Sequence, residues 1–178
     1  FGGGGMMLAF GVTAALYERG QSGQGQVIDA AMTDGSALLM NSIYGLMGQG
    51  VWNHQRGSNL LDGGAHFYGT YETKDGKFVS LGSIEPQFYA LLMEKAGLDP
   101  DYFQPQMERG RWVELKAKLT KVFLSKTQAQ WCEIMEGTDI CFAPVLSFSE
   151  APHHPHNKAR GSFVEVDGIM QPGPAPRF

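Results

Sequence analysis

The first apolar segment of the chain has hydrophobic side chains on nearly every side of a helix. Between residues 4 and 18 these positions are Met6, Met7, Leu8, Phe10, Val12, Ala14 and Leu16. A helix without a polar face is typically buried, so we predict a buried helix over residues 4–18. Because nothing before it supplies the facing side of a core, we expect the chain to be part of a longer protein.

A second apolar stripe lies at residues 33–47 and predicts one continuous helix. Its face contains three methionines, Met32, Met40 and Met47, together with Ile43. The stripe has two interpretations: an ordinary core face, or an adaptable apolar wall for acyl chains, since thioether side chains fit varied shapes. Residues 26–29 before it predict a short strand, and residues 48–57 after it a loop.

Alternating patterns dominate the middle of the chain. Residues 67–73 and 77–82 predict a β-hairpin, because Asp75-Gly76 supplies the positive φ of the turn. A helix should follow over residues 86–96 and end at Gly97. Further helices are expected over residues 111–124 and from the N-cap Thr127 to residue 135, with strands at 141–145 and 163–166, a polar connection at 151–158 and an irregular tail from 172.

Composition narrows the functional classes. Of 178 residues, 43% are hydrophobic and 18% charged, so the chain should fold, and a net charge of −4 gives no general attraction to nucleic acid or anionic membranes. Cys132 and Cys141 are predicted to be ordinary reduced thiols. No apolar run approaches the roughly 20 residues needed to cross a bilayer.

His153, His154 and His156 lack accompanying ligands and are interrupted by a proline, so we predict a solvated linker and no metal site.

Glu85 is the most informative polar residue. It stands just before Pro86, at a predicted strand-to-helix corner. Its carboxylate has two interpretations: it orients or activates a partner base, or it offsets the dipole of the following helix.

Two glycine-containing segments are also open to two interpretations. The glycines at residues 2–5 precede a helix, where exposed N–H groups favour an anion or a developing oxyanion, but they also suit close packing of a loop. Asp62-Gly63-Gly64 is either a turn capped by Asp62 or part of a ligand site. Phe67 and Tyr68 alternate along a strand, so only one of them can face a given site.

Several segments, in order along almost the whole chain, resemble the family III CoA transferases (the CaiB/BaiF family). The likeness is closest to the alpha-methylacyl-CoA racemase branch. The matching segments are residues 3–6, 23–30, 59–65, 67–68, 84–89 and 137–139.

The resemblance implies an α+β fragment of an α/β protein. Residues 1–30 would be the end of a doubly wound, CoA-binding large domain, 31–69 a linker helix and loop, 70–152 a small α+β domain with a short antiparallel sheet, and 153–178 the return linker. It also implies a homodimer of two intertwined subunits, a cytoplasmic location, an acyl-CoA substrate, and neither nucleic-acid nor membrane partners.

The racemases of this branch invert the carbon next to a CoA thioester by moving its proton through an enolate, without metal or other cofactor. The resemblance places their two bases, a histidine and an aspartate, upstream of Phe1. It makes Glu85 the glutamate that hydrogen-bonds the catalytic histidine, and gives His66 no catalytic role. Gly2, Gly3 and Gly4 match the helix start beneath the thioester oxygen, and the expected substrate-binding residues are Leu61, Asp62, Gly63, Gly64, Tyr68, Ile84, Met32, Met40 and Met47.

Two alternatives stay open at this point. A CoA transferase of the same family would move CoA between carboxylic acids through an acyl anhydride on the same aspartate. The chain by itself could instead be a non-catalytic folded module, and we expect no turnover from it alone.

Overall fold

Helices and short antiparallel sheets make up the computed structural model, which describes residues 1–177. The helices are α1 (Met7–Ser22), α2 (Met32–Leu39), α3 (Asn41–Gly48), α4 (Pro86–Ala96), α5 (Pro100–Phe103), α6 (Trp112–Phe123), α7 (Gln128–Met135) and α8 (Pro155–Arg160). The strands are β1 (Tyr68–Glu72), β2 (Phe78–Gly82), β3 (Phe142–Val145), β4 (Phe163–Val166) and β5 (Ile169–Pro172). The chain forms two compact units, residues 1–55 and a second beginning at Arg56, and this division falls within the predicted linker.

The first unit contains α1 to α3. The glycine run forms a π-helical turn, Gly2–Met6, that leads into α1. This turn packs against α2 so closely that a Cβ on Gly35 would lie 1.8 Å from the Gly3 carbonyl oxygen. Glycine is therefore required on both sides of this contact.

Three predictions for the first unit are wrong. The helix over residues 33–47 is two helices, because Met40, with φ −88° and ψ 4°, leaves the helical range and ends α2 with a tightened turn. Residues 26–29 form no strand, since no described strand pairs with them and Val27 is 95% exposed. Helix α1 has no buried residue, because burial needs a facing apolar element and the first unit does not provide one.

The second unit is built around a three-stranded antiparallel sheet in the order β1-β2-β3. The predicted hairpin is confirmed: Glu72 pairs with Phe78, Tyr68 pairs with Gly82, and Gly76 has the expected positive φ of 73°. Strand β3 pairs with β2 from the other side.

An aromatic core holds the helices of the second unit against this sheet. Tyr71 of β1 stacks on Phe123 of α6 at a centroid distance of 5.0 Å, and Phe123 contacts Trp131 of α7 at the same distance. Phe67 meets Trp112 edge to face at 5.9 Å. These offset and edge-on arrangements are the ones that aromatic quadrupoles favour, so the core fixes α6 and α7 relative to the hairpin.

The predicted helix ends are confirmed. Thr127 caps α7, and Gln130 reciprocates in a capping box. Pro86 opens α4 and Gly97, in the left-handed conformation with φ 66°, closes it. The predicted strand at residues 163–166 is confirmed as β4. The sequence pattern did not reveal α8, which begins inside the predicted polar connection, or β5, which pairs with β4 through a turn at Asp167-Gly168, both with positive φ.

The end of α4 yields a stability prediction. Gly97→Ala should lower the free energy of unfolding by about 1 kcal/mol, because a Cβ disfavours the left-handed conformation. Urea unfolding followed by the fluorescence of the buried Trp112 and Trp131 measures the change. Gly110→Ala is the control: its Cβ would enter open space and its φ is ordinary, so it should not destabilise. Equal destabilisation by both variants would contradict the account.

Candidate functional site

The corner between β2 and α4 carries Glu85. Its backbone, with φ −70° and ψ 141°, is extended and forms the N-cap of α4, yet its side chain makes no cap hydrogen bond and is exposed. The carboxylate therefore projects from the corner instead of closing the helix start. The dipole of α4 still favours a negative charge there.

Backbone hydrogen bonds hold the residues that lead to this corner. The Gly82 amide donates to the Cys141 carbonyl at 2.9 Å, the Ser83 amide to the Phe67 carbonyl at 3.1 Å, and the Ser83 hydroxyl to the Ile140 carbonyl at 2.5 Å. Residues 140–141 and Phe67, just before β1, thus form hydrogen bonds with the same short segment, residues 82–83. Ser83 is fully buried and Ile84 half-buried.

A shallow groove of about 350 Å³ lies beside the corner. Its lining comprises Tyr68, Gly69 and Thr70 of β1, Ser80, Leu81 and Gly82 of β2, and Cys141. Gly82, opposite Tyr68 in the ladder, leaves room between the Tyr68 ring and Cys141: a Cβ there would lie 3.8 Å from one and 3.6 Å from the other. A groove of mostly apolar character with a few polar groups suits an acyl chain.

The structure resolves the alternation of Phe67 and Tyr68. Phe67 is fully buried in the aromatic core, whereas Tyr68 is half-buried and lines the groove. Tyr68 pairs with Gly82 at the end of β2, and Ile84 and Glu85 follow Gly82 in the chain. These three residues therefore lie near the same end of the hairpin. Leu61, in the loop before β1, is 42% exposed.

Asp62 acts as the cap of a turn. Its carboxylate accepts the amides of Asn59 at 2.8 Å, Gly57 at 3.0 Å and Gly64 at 3.3 Å, as well as the Asn59 side-chain amide at 2.8 Å. Desolvation raises the pKa of Asp62, but these hydrogen bonds together outweigh it and hold the pKa below its usual range. The turn interpretation thus accounts for Asp62.

The two glycines after Asp62 also have structural reasons. Gly63 has a φ of 89°, and a Cβ on Gly64 would lie 2.6 Å from the Ser58 carbonyl carbon. Lys116 of α6 donates to the Gly63 carbonyl and fixes the turn to the rest of the second unit. These contacts place the loop that carries Leu61.

The other predicted site residues belong to the first unit. Packing against α2 explains the small size of Gly3 and Gly4, since a Cβ on Gly4 would meet the Met32 side chain at 2.8 Å. Gly2 is less constrained, with the Leu39 side chain 3.2 Å away. Met32 is 75% and Met40 47% exposed, whereas Met47 is half-buried. The methionines are therefore not a core face within this unit.

Cys141 is a groove residue that the sequence reasoning missed. It has a φ of 60°, a conformation rare for residues other than glycine, and such strain occurs often at functional sites. Partial desolvation raises the pKa of its thiol, and the nearby carboxylates of Glu85 and Asp139 raise it further. Nothing in the local pattern of residues 139–145 signalled this backbone conformation.

The histidine-rich segment shows no metal geometry. His154 faces Glu136 at 3.7 Å, and among residues 1–177 no group of three or more metal-ligating side chains comes together. In the same part of the chain, no helix is both long and apolar enough to cross a membrane.

Comparison with known proteins places this geometry in a family. A sequence profile of CoA-transferase family III matches residues 1–178. The chain belongs to CoA-transferase family III. The family that the motifs predicted is confirmed.

Two alpha-methylacyl-CoA racemases are identical to this chain at about half of the aligned positions. It is 50% identical over 176 residues to the alpha-methylacyl-CoA racemase of Mus musculus, and 49% identical over 177 residues to that of Homo sapiens. Each alignment covers 99% of this chain and 46% of the relative. The chain thus spans about half the length of these relatives.

A solved family III structure shows the same fold. A CaiB/BaiF family protein from Brucella suis matches with a TM-score of 0.72 at 20% identity, over 99% of this chain and 47% of its own. The predicted α+β fold with short antiparallel sheets is confirmed.

His66 lies next to the groove strand but belongs to the core. It is fully buried, and its Nε2 lies 2.7 Å from the Tyr89 hydroxyl, which itself donates to the Phe103 carbonyl at 2.8 Å. This chain of bonds assigns the Nε2–H tautomer, with Nδ1 unpartnered among the described residues. Burial, reinforced by the positive charge of Arg111, lowers the pKa of His66 to about 4.

His66 therefore predicts a pH dependence of stability. In the unfolded chain the pKa of His66 is near 6.5, and in the folded chain it is about 4. Between these two pH values the unfolded state binds a proton at His66 and the folded state does not, so protons favour unfolding. The free energy of unfolding should fall by up to about 3 kcal/mol as the pH decreases across this window. Urea unfolding at a series of pH values measures the slope.

The matched variant for this test is His66→Gln, whose amide can still bond to Tyr89 but does not titrate. Its pH dependence should be much shallower between about pH 6.5 and 4.5. The same slope in both proteins would show that other groups cause the effect.

Proposed function

We propose that this chain carries the supporting half of a proton-transfer site that inverts the 2-carbon of 2-methyl-branched acyl-CoA thioesters. The observation that carries the proposal is the exposed Glu85 carboxylate, which is uncommitted to the helix cap and near enough to the groove residue Cys141 to raise the pKa of its thiol. The likeness to alpha-methylacyl-CoA racemases supports the reaction class.

The chemistry requires more than one base. A proton next to a thioester carbonyl is weakly acidic, so its removal needs a base, a second base to return it on the other face, and donors for the enolate oxygen. We place the two bases, a histidine and an aspartate, upstream of Phe1. Glu85 would accept a hydrogen bond from the histidine, set its orientation and stabilise its protonated form.

The remaining predicted residues would bind substrate. Leu61, Tyr68 and Ile84 would border the acyl chain near the reacting carbon, and the turn at residues 62–64 would hold Leu61 in place. The exposed methionines Met32, Met40 and Met47 would form an adaptable apolar surface for varied acyl chains.

Gly2, Gly3 and Gly4 would present backbone N–H groups beneath the thioester oxygen. The proposal needs no metal and no cofactor other than the CoA thioester itself. We also propose that the enzyme is a homodimer and acts in the cytoplasm.

Glu85→Gln tests the role of the carboxylate. In the full-length enzyme we expect kcat for racemisation to fall at least about tenfold, because a misoriented histidine would lose part of the contribution of general base catalysis, which is about 10²–10⁴-fold. The exchange of the α-proton with deuterated water, followed by NMR, measures the rate directly. An intact rate in Glu85→Gln would show that the role is wrong.

Glu94→Gln is the matched control for this variant. Glu94 lies on the same helix, is exposed and pairs with Lys95 at 3.0 Å. Loss of the same charge there should leave the rate unchanged. A decrease equal to that of Glu85→Gln would indicate a general effect of charge on α4.

The second candidate function is CoA transfer between carboxylic acids, which the description of the family favours. In that reaction an enzyme carboxylate attacks the thioester carbonyl, CoA leaves as a thiolate and an acyl–enzyme anhydride forms. The second acid then displaces the first acid from this anhydride, and the thiolate attacks the new acyl carbonyl, which forms the second thioester and frees the enzyme carboxylate. Incubation of the full-length enzyme with acyl-CoA and a labelled free acid distinguishes the two. Labelled acyl-CoA without α-proton exchange would favour the transferase.

A further inference from the structure

The two backbone carbonyls immediately before Glu85 share one side-chain donor. The Gln106 amide nitrogen, Nε2, donates to the Ser83 carbonyl and to the Ile84 carbonyl, both at 2.9 Å. Gln106 lies in the loop between α5 and α6 and is only 7% exposed. A loop distant in sequence thus holds the corner on which Glu85 stands.

These carbonyls need such a donor because they lie beyond the last rung of the sheet. Strand β2 ends at Gly82, so Ser83 and Ile84 have no ladder partner for their carbonyl groups. A buried carbonyl without a donor is costly. A side-chain amide has two N–H donors on one nitrogen, so a single glutamine satisfies both carbonyls.

Gln106 is itself held from two sides. Its backbone amide donates to the Gln104 side-chain oxygen at 3.0 Å, and its carbonyl accepts the indole N–H of the buried Trp112 at 3.0 Å. The Arg111 guanidinium donates to the carbonyls of Tyr102 and Gln104, each at 2.7 Å. The loop is therefore anchored to the aromatic core.

We infer that Gln106 is a positioning residue for Glu85. The Glu85 side chain makes no cap bond, so the backbone of the corner sets the point from which its carboxylate extends. Gln106 fixes that backbone by holding the two preceding peptide groups. The inference rests on the proposed function, because positioning matters only if Glu85 orients a catalytic base.

The chain offers a close control in Gln128. It is 6% exposed, and its Nε2 also donates to two backbone carbonyls, those of Phe78 at 2.6 Å and Val145 at 3.1 Å. Phe78 begins β2 and Val145 ends β3, so this amide clamps the sheet at the end opposite Glu85. Gln128 and Gln106 thus match in burial and in the hydrogen bonds of their side-chain amides, and they differ in their position relative to Glu85.

The test compares Gln106→Met with Gln128→Met in the full-length enzyme. Methionine keeps the approximate length and removes both donors, so both variants should lose similar stability in urea unfolding. Only Gln106→Met should lower kcat, by about tenfold, with KM within about twofold, because small misplacements of catalytic groups reduce the chemical step. Equal kcat losses in both variants, or an unchanged kcat in Gln106→Met, would overturn the inference.

A double-mutant cycle separates positioning from a general structural effect. If Gln106 acts through the Glu85 carboxylate, adding Gln106→Met to Glu85→Gln should change kcat less than about twofold. A full tenfold additional loss would refute the link. If Glu85→Gln alone keeps the wild-type rate, the proposed function fails, which is distinguishable from a normal Glu85 effect with no Gln106 effect.

A variant with a shorter amide side chain keeps the test possible if Gln106→Met does not fold. Gln106→Asn retains one amide but cannot reach both carbonyls from the same backbone position, so it should fold more readily and still lower kcat. A folded Gln106→Asn enzyme with wild-type kcat would also count against the inference.

Discussion

The hydrogen bonding of a few backbone groups beyond the end of β2 is the constraint on which the candidate site depends. Once the strand leaves the sheet at Gly82, each peptide group needs a partner from another part of the chain. These partners come from Cys141, Phe67, Ile140 and Gln106. The corner can therefore hold an exposed, uncapped glutamate in a defined place, because its backbone is bonded on several sides.

The aromatic core makes those partners available at the right positions. Phe67, buried beside the corner, contacts Trp112, and the Trp112 indole in turn holds the carbonyl of Gln106. Packing and polar bonding thus act on the same residues. Since buried rings have few alternative rotamers in a dense interior, the loop between α5 and α6 is fixed although it has little regular structure.

Several residues near the candidate site have structural tasks in the fold. Asp62 caps a turn, Gly64 permits close approach of two backbone segments, and His66 belongs to a buried hydrogen-bonded chain with Tyr89. Glu85 differs from them because its carboxylate has no such task in the helix cap. This contrast, more than the type of residue, makes it the candidate functional group of the second unit.

The sequence by itself determined the elements whose signals are local. Asp75-Gly76 specified the hairpin, Pro86 and Gly97 the limits of α4, and Thr127 the start of α7, because turns and caps depend on the conformational preferences of a few adjacent residues. The resemblance to the family also gave Tyr68 a substrate-binding role and Glu85 a hydrogen bond to the catalytic histidine, and these roles stay predictions. The predictions of a buried α1 and of a strand at residues 26–29 were wrong, since burial and strand pairing depend on a facing partner and not on local preference.

Only the tertiary structure decided which long-range contacts place the site. The left-handed conformation of Cys141, the two carbonyls held by Gln106 and the bond from Lys116 to Gly63 join segments far apart in the chain. A glutamine in a loop has no sequence signature for the carbonyls it will meet, because hydrogen-bond partners are selected by the packing of the whole unit. The motif predicted a role for Glu85, and only the fold shows which side chain holds the backbone just before it.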